Sequence, residues 1–429
     1  MNGEYTIYVR DKADDKGQMS IIGMVDDYKE FTATLQFCDV GTWQLKISCA
    51  SQHAKLFQPN TGIVVHRKGV DRVLFSGTVT GIQKYWTVDE DSGPGALIVT
   101  GYDDNYIAKY HICYPDPLQP ISHQDWDTDA NTDFPSSRAL EGLISANAGY
   151  DSKSSPFRVP VGYDTPGDGR RDWPYDTFGD PVPYSIRYDN LLDAVKPIAT
   201  KSGIGWRNAY DHQARKIKLE CWQVKDLSKL VRFSPEIGNL KEFVYSIRAP
   251  LCTRAVIGAR GEAHLRYVES YTNAEAEEAE KTWGIVAEQF FDATDVPIMR
   301  DAKAPWSDPI IDPNYTGQGD MNLDKALSMI HQKGDTHLRE NGPTGNLQLY
   351  PLDTPQCMFG RDWWIGDVVS CIIDGDVHSD PVTKVTISDS ASGTSLVVSL
   401  GAQGTTASAN VYTEIQSLWR QLNELKSRR

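Results

Sequence analysis

Two runs of strict alternation between residues 28 and 49 constrain the fold more than anything else in this chain. Phe31, Ala33, Leu35 and Phe37 alternate with Thr32, Thr34 and Gln36. After Asp39-Val40-Gly41, the residues Trp43, Leu45, Ile47 and Cys49 alternate with Thr42, Gln44, Lys46 and Ser48. A period of two sends successive side chains to opposite faces, so the segment is a half-buried antiparallel hairpin whose Asp/Gly turn fixes the register.

The chain has 429 residues, more than one hydrophobic core supports, and two or three domains are expected. Hydrophobic residues make up 40% and charged residues 24%, the balance of a folded protein rather than a disordered one. No run of eighteen apolar residues occurs, so no stable membrane insertion is expected. The start, Met1-Asn2-Gly3-Glu4-Tyr5, lacks a basic and then apolar leader, which points to assembly in a cytoplasm. A formal charge of −15 argues against a protein that grips nucleic acid, because neutralising phosphates takes clustered Lys and Arg. The seven cysteines (Cys38, Cys49, Cys113, Cys221, Cys252, Cys357, Cys371) are scattered, odd in number and without a C-x-x-C pair. They are expected as free thiols, with no zinc or redox role.

Residues 1–115 read as consecutive short strands: Tyr5-Ile7-Val9, the hairpin, Ile63-Val64-Val65, Val73 to Ile82, and Ala96 to Thr100. Within Val73–Ile82, Phe75, Gly77, Val79 and Gly81 are expected on one face. Strands at this spacing, broken by Gly and Asp, indicate a sandwich or small barrel, and closure would remove exposed edges. Residues 116–235 are rich in Pro, Asp and Gly and read as an α+β insertion. Its first helix has Ser136 or Ser137 as cap and Leu140, Leu143 and Ile144 as stripe; its second spans about 187–200 and contains Pro197. A hairpin over 206–222 turns at Asp211-His212-Gln213. Residues 236–405 form a second block, with strands at 240–268, helices at 273–281 and 321–340, and strands from Leu347 to Leu400 that read as a second barrel. In 406–429, Val411, Ile415, Leu418, Leu422 and Leu425 recur at alternating spacings of four and three. That is an amphipathic heptad seam of barely two turns of the repeat, suited to a neighbouring copy or to the body of the same chain. The fold class expected is a β-rich α+β protein, with two β-barrel-like domains, an α+β insertion between them and a short C-terminal helix.

An ordered set of segments resembles the tail-hub, or tail-associated minor tail, proteins of siphophages. The set comprises Asp39-Val40-Gly41-Thr42-Trp43, Phe75-Ser76-Gly77, Ala146-Asn147-Ala148-Gly149, Val256-Ile257-Gly258-Ala259-Arg260-Gly261, Trp283-Gly284, the 321–342 helix, and Phe359-Gly360-Arg361-Asp362 through Asp367. The resemblance implies a homotrimer in which two barrels per chain make six around a tube. It also implies contacts with the distal tail protein, the tape-measure protein and receptor-binding or tail-fibre proteins, in the tail tip of a virion. Viral DNA would only pass through the lumen, where a negative wall leaves a like-charged polymer free to slide. Some tail-tip proteins carry a further hydrolase domain, but this chain stops shortly after the second block.

The candidate sites are sparse. Asp125-Trp126-Asp127-Thr128-Asp129, with Asp133 beyond, imitates the start of a calcium loop, but Ala130 and Ser136 stand where an EF-hand needs Gly and Glu. A solvated acidic loop is the plainer reading, and no metal or cofactor is assigned. His331 and His337 are six apart on the predicted helix, off one face, and His264 beside Glu262 lacks a third ligand. No nucleophile elbow or phosphate loop occurs. Eleven Trp and twenty Tyr leave glycan stacking or a two-carboxylate hydrolase as the alternative. Trp43, Trp363 and Trp364, however, fall in strand patterns where one face is core. A non-enzymatic structural protein is expected, with the seam Val411, Ile415, Leu418, Leu422 and Leu425 as its candidate interface.

Overall fold

The alternating hairpin forms as its pattern demands. Tyr28–Gln36 and Thr42–Ser48 pair antiparallel, with Phe31 opposite Leu45 and Ala33 opposite Trp43, all four side chains buried. The structure, a computed structural model, describes residues 4–14, 18–86, 95–117, 119–124, 128–131, 134–148, 163–164, 177–306, 308–315, 321–354, 356–373 and 375–401. Two compact units divide the chain. One contains Met1–Val244 and Leu347–Leu400; the other is built on Tyr245–Asn346.

The first unit is organised by a large, mostly antiparallel sheet. Its strands are β1 (Tyr5–Arg10), β2 (Ile21–Val25), β3 (Tyr28–Gln36), β4 (Thr42–Ser48), β5 (Gly62–Arg67), β6 (Phe75–Tyr85) and β7 (Ala96–Asp103). Helices α1 (Ser136–Ala148) and α2 (Leu191–Ser202) and the hairpin β8 (Ile204–Asp211) and β9 (Lys216–Gln223) follow. The terminal strands are β10 (Val368–Ile373), β11 (Asp376–Ser390) and β12 (Gly393–Leu400). The order across the sheet is β12-β11-β3-β4-β7-β6-β5-β1-β2, with Thr344–Pro351 and then Leu240–Arg248 beyond β12.

The two blocks expected as barrels are joined in this sheet. Lys384–Ser390 of β11 pairs with Glu30–Gln36 of β3, and no pairing among the described strands closes either block on itself. The reason is the length of β11, fifteen residues: its first part pairs with β10 and its second part with both β12 and β3. One face of the sheet carries the main core, including Phe31, Leu45, Ile47, Val99, Val385, Ile387 and Val398. Each such side chain contributes about 1.5–3 kcal/mol by leaving water.

β6 departs from its expected alternation. The register shifts between Val79 and Gly81, so Val79 opposes Gly101 while Gly81 opposes Thr100. This bulge turns Gly81 away from the face shared by Phe75, Gly77 and Val79.

A second core lies where α1, α2 and the β8–β9 hairpin pack, with Leu140, Leu143, Ile144, Leu191, Val195, Ile198 and Trp206. Asn190 caps α2 by accepting the Leu192 N–H at 3.0 Å, and Gly203, at φ +64°, ends it in the left-handed region where a side chain is unfavourable. Pro197 lies inside this helix.

The second unit has its own core. Arg254–Gly258 pairs antiparallel with Val268–Tyr271 and parallel with Glu288–Asp292. Helix Leu323–Glu340 contributes Ala326, Ile330 and Leu338 to that core, opposite Ala255 and Ile257. Asn273 and Asn322 cap Ala274–Trp283 and Leu323–Glu340 through their side-chain oxygens. Among the described residues no helix is long and apolar enough to cross a membrane.

Candidate functional site

The face of the sheet opposite the main core is the most unusual surface of the first unit. Cross-strand partners share a face, so its composition follows from the register. One row runs Val397, Thr386, Thr34, Thr42, Tyr102, Thr78; the next runs Ser395, Ser388, Thr32, Gln44, Thr100, Gly81. From β12 to β6 neither row contains a charged side chain, in a chain that is 24% charged; past Thr78 the first row continues through Gly62 to Arg10 on β1. Glu30 and Lys46 face each other in the row beyond, and Lys384 lies at the other border. Hydroxyls bridge the strands: Thr34 Oγ1 and Thr386 Oγ1 are 3.1 Å apart, and Thr32 Oγ1 and Ser388 Oγ 3.5 Å. A shallow trough of about 430 Å³ lies over Thr32, Thr34, Thr42, Gln44, Thr80, Thr100 and Tyr102. Its chemistry is hydrogen bonding without net charge, and it places no nucleophile beside a general base.

On the same face, at the β6–β5–β1 end of the sheet, a buried polar seam fastens the insertion. Arg10 Nη2 is 2.6 Å from Asp104 Oδ1, with Arg10 1% exposed and Asp104 fully buried. Ser76 Oγ donates to Asp104 Oδ2 at 2.6 Å and accepts the Tyr210 N–H at 3.0 Å. Asn105 Oδ1 accepts the Asn208 N–H at 2.7 Å, and Lys196 of α2 pairs with Asp39 at 2.6 Å. Burial pushes the neighbouring Asp103 carboxyl well above the ordinary carboxylate range, and the nearby Asp104 charge adds to this. No sequence motif announces this seam. The closest hint is three polar residues, Asp103-Asp104-Asn105, set directly at the end of an apolar strand.

Gly360-Arg361-Asp362-Trp363-Trp364 forms a turn that leads into β10, with Arg361 and Asp362 exposed and both tryptophans buried. Phe359 stacks on Trp364 with centroids 5.0 Å apart and lies 4.8 Å from Trp363, which meets Phe233 at 5.6 Å. The Arg72 and Arg207 guanidiniums lie over the Trp364 ring at 4.9 and 5.0 Å. Asp367 closes the turn by accepting the Trp364 N–H at 2.8 Å. Trp43, Trp363 and Trp364 are all at most 5% exposed, so none offers its ring to a sugar.

Among the described residues, the three groups placed to share a metal ion are Asp26, Asp27 and His53. His53 Nδ1 is 2.8 Å from Asp27 and 3.9 Å from Asp26, at the β2–β3 turn. Slight burial raises the Asp27 carboxyl, but hydrogen bonds to Ser51 and His53 outweigh it and hold the group low. No sequence motif marks this group, because His53 stands 26 residues from Asp27.

Of the acidic loop, Asp125–Asp127 and Asp133 lie outside the described residues. Asp129 begins a short strand, and burial, reinforced by Asp116, raises its carboxyl to about 6. His331 bonds Glu269 at 2.9 Å and stacks on Tyr271, while His337 bonds Gln289 at 3.0 Å and stacks on Phe291. Both are engaged in packing. The seven cysteines are unbridged, and burial raises the Cys38, Cys221 and Cys371 thiols. Val411, Ile415, Leu418, Leu422 and Leu425 lie outside the described residues.

The fold is similar to that of a solved prophage tail protein. The crystal structure of the prophage MuSo2 43 kDa tail protein from Shewanella oneidensis matches it with a TM-score of 0.51 and 11% identity, over 93% of this chain and 98% of that one. A tail protein from Neisseria meningitidis MC58 gives 0.49 and 12%, over 94% and 97%. No curated protein matches the chain. The model of the family described as "Siphovirus ReqiPepy6 Gp37-like protein" matches residues 6–402, and the chain belongs to that siphovirus tail-protein family.

Proposed function

We propose that this protein is the structural, non-enzymatic hub of the tail tip of a long, non-contractile-tailed phage. It works as a homotrimeric ring at the end of the tail tube. Each chain supplies two barrel-like elements, completed between neighbours, so that three copies match a sixfold tube. The distal tail protein, the tape-measure protein and receptor-binding or fibre proteins are its partners, and the virion is its location. The segment 406–429 contributes to self-association through Val411, Ile415, Leu418, Leu422 and Leu425.

The observation that carries this reading is the charge-free hydroxyl face, taken with family membership over residues 6–402. A wall that must let a polyanion pass needs polar groups to stay wetted and no ammonium or guanidinium to hold phosphates. The Thr, Ser and Gln of β11, β3 and β4 meet both conditions, and cations enter the first row only at its far end, where Lys109 lies over Tyr102 and Arg10 bonds Thr78. The test is light scattering of the full chain alone and with the distal tail protein, together with mass spectrometry of purified virions. Three copies in the complex and presence in virions support the hub. A chain that stays single with its partner and is missing from virions refutes it.

A further inference from the structure

One titratable pair on the first unit belongs to neither the hydroxyl face nor the buried seam. His66 Nε2 on β5 lies 2.8 Å from His212 Nε2, in the turn between β8 and β9. The ring centroids are 5.0 Å apart, longer than the nitrogen distance by nearly the reach of both rings, so the two nitrogens point at each other. Lone pairs converging on a third point would suit a chelated ion; facing lone pairs suit a proton between them.

The surroundings leave the pair to itself. Tyr8 on β1 stands edge-on to both rings at 5.8 and 6.4 Å, and Tyr210 edge-on to His212 at 5.1 Å. Thr6 is the β1 partner of His66. In the turn, Asp211 is taken by Lys218 at 3.3 Å and by the Ala214 N–H at 2.6 Å. Arg215 is taken by Gln18 and by Ser20, and Arg10 lies over Tyr210. No described carboxylate bonds either imidazole. An open cavity of about 440 Å³ adjoins the pair, bounded by Tyr8, Ile21, His66 and His212.

We propose that His66 and His212 form a pH-operated latch between the sheet and the β8–β9 hairpin. The bond between the nitrogens needs one of them unprotonated, so the closed latch holds at most one positive charge. Adding a second proton puts hydrogens on both facing nitrogens, which removes the bond and sets two cations against each other. Partial burial and the neighbouring His212 both lower the His66 pKa, so opening falls on the acid side of the ordinary histidine range. The open latch frees the 211–214 turn and widens the adjoining cavity.

The test is hydrogen exchange of the full chain at about pH 7.5 and about pH 5, corrected for intrinsic rates and read over residues 204–223. In the wild-type protein, protection around the turn falls by about tenfold or more at the lower pH. His212→Gln and His66→Gln keep a hydrogen-bonding partner that does not titrate, and each abolishes most of the change. Asp129 and Glu141 titrate in the same window but remain in both variants, so a response of theirs survives the substitutions. Unchanged wild-type protection, an undiminished response in the variants, or micromolar zinc binding that protects the turn overturns the latch. The wild-type comparison decides even where one variant fails to fold.

Discussion

Asp104→Asn isolates the worth of the buried seam. The substitution keeps the shape of the side chain and removes the only carboxylate bonded to the Arg10 guanidinium among the described residues, where Arg10 is 1% exposed. Stripping one partner from a buried pair costs about 3–5 kcal/mol, mostly because a charge stays behind in a site that water does not reach. Here Arg10 keeps Thr78 Oγ1 at 2.9 Å, Met19 Sδ at 3.1 Å and the Tyr210 ring at 6.0 Å, which puts the loss near the lower end, about 3 kcal/mol. For a unit of about 300 residues unfolding together, that loss lowers the melting temperature by roughly 5 °C. Calorimetry and urea denaturation at neutral pH measure both quantities. Replacing both partners by apolar groups, Arg10→Met with Asp104→Leu, recovers most of the loss, since no charge is then stranded. Lys281→Ala, which breaks an ion pair with both side chains at least 70% exposed, changes stability by about 0.5 kcal/mol or less. A loss under about 1 kcal/mol for Asp104→Asn, or a double variant worse than the single one, refutes the reasoning.

Burial alone raises the Glu141 carboxyl to about 7. The native state therefore keeps a proton that the unfolded chain has released, and the resulting stability is complete below pH 4.5 and lost as pH rises through about 7. The stabilities of Glu141→Gln and wild type in urea thus coincide at acid pH, and by about pH 8 the variant is ahead by about 3 kcal/mol. Gly101→Ala places a methyl group 2.0 Å from Thr78 O and 2.4 Å from Trp43 Nε1, and costs about 2 kcal/mol or more by thermal melting. Gly142→Ala meets nothing within 4 Å in α1 and stabilises by about 0.5–1 kcal/mol in the same assay. Tyr28→Phe strands the Asp389 carboxylate, which is 2% exposed, and costs about 1–3 kcal/mol in urea denaturation.

The local elements were readable because each rests on neighbours in the chain. The β3–β4 alternation, the stripe Leu140, Leu143 and Ile144, the Asp211-His212-Gln213 turn and the 321–340 helix all reappear within a few residues of their expected bounds. What escaped was register over distance. Nothing near Thr34 reveals that Thr386 lies beside it, and so the uncharged face could not be assembled from the sequence. The bulge at Thr80 needed the β7 partner to be known, because the apolar pattern alone continues through Gly81. Arg10 beside Asp104 is a pair that only the distant pairing of strands within the sheet creates, and His66 beside His212 one that only the packing of the insertion on the sheet creates.

The pairing of β11 with β3 also sets a timetable. About 350 residues separate the two strands, so on a ribosome adding roughly 5–20 residues per second one edge of β3 waits on the order of 20–70 s for its partner. During that interval an apolar strand stands with an open edge, the sort of surface that attracts chaperones or other nascent chains. A polypeptide broken off before Lys384 never completes that edge. The architecture thereby lets only copies that extend through β12 present a finished hydroxyl face.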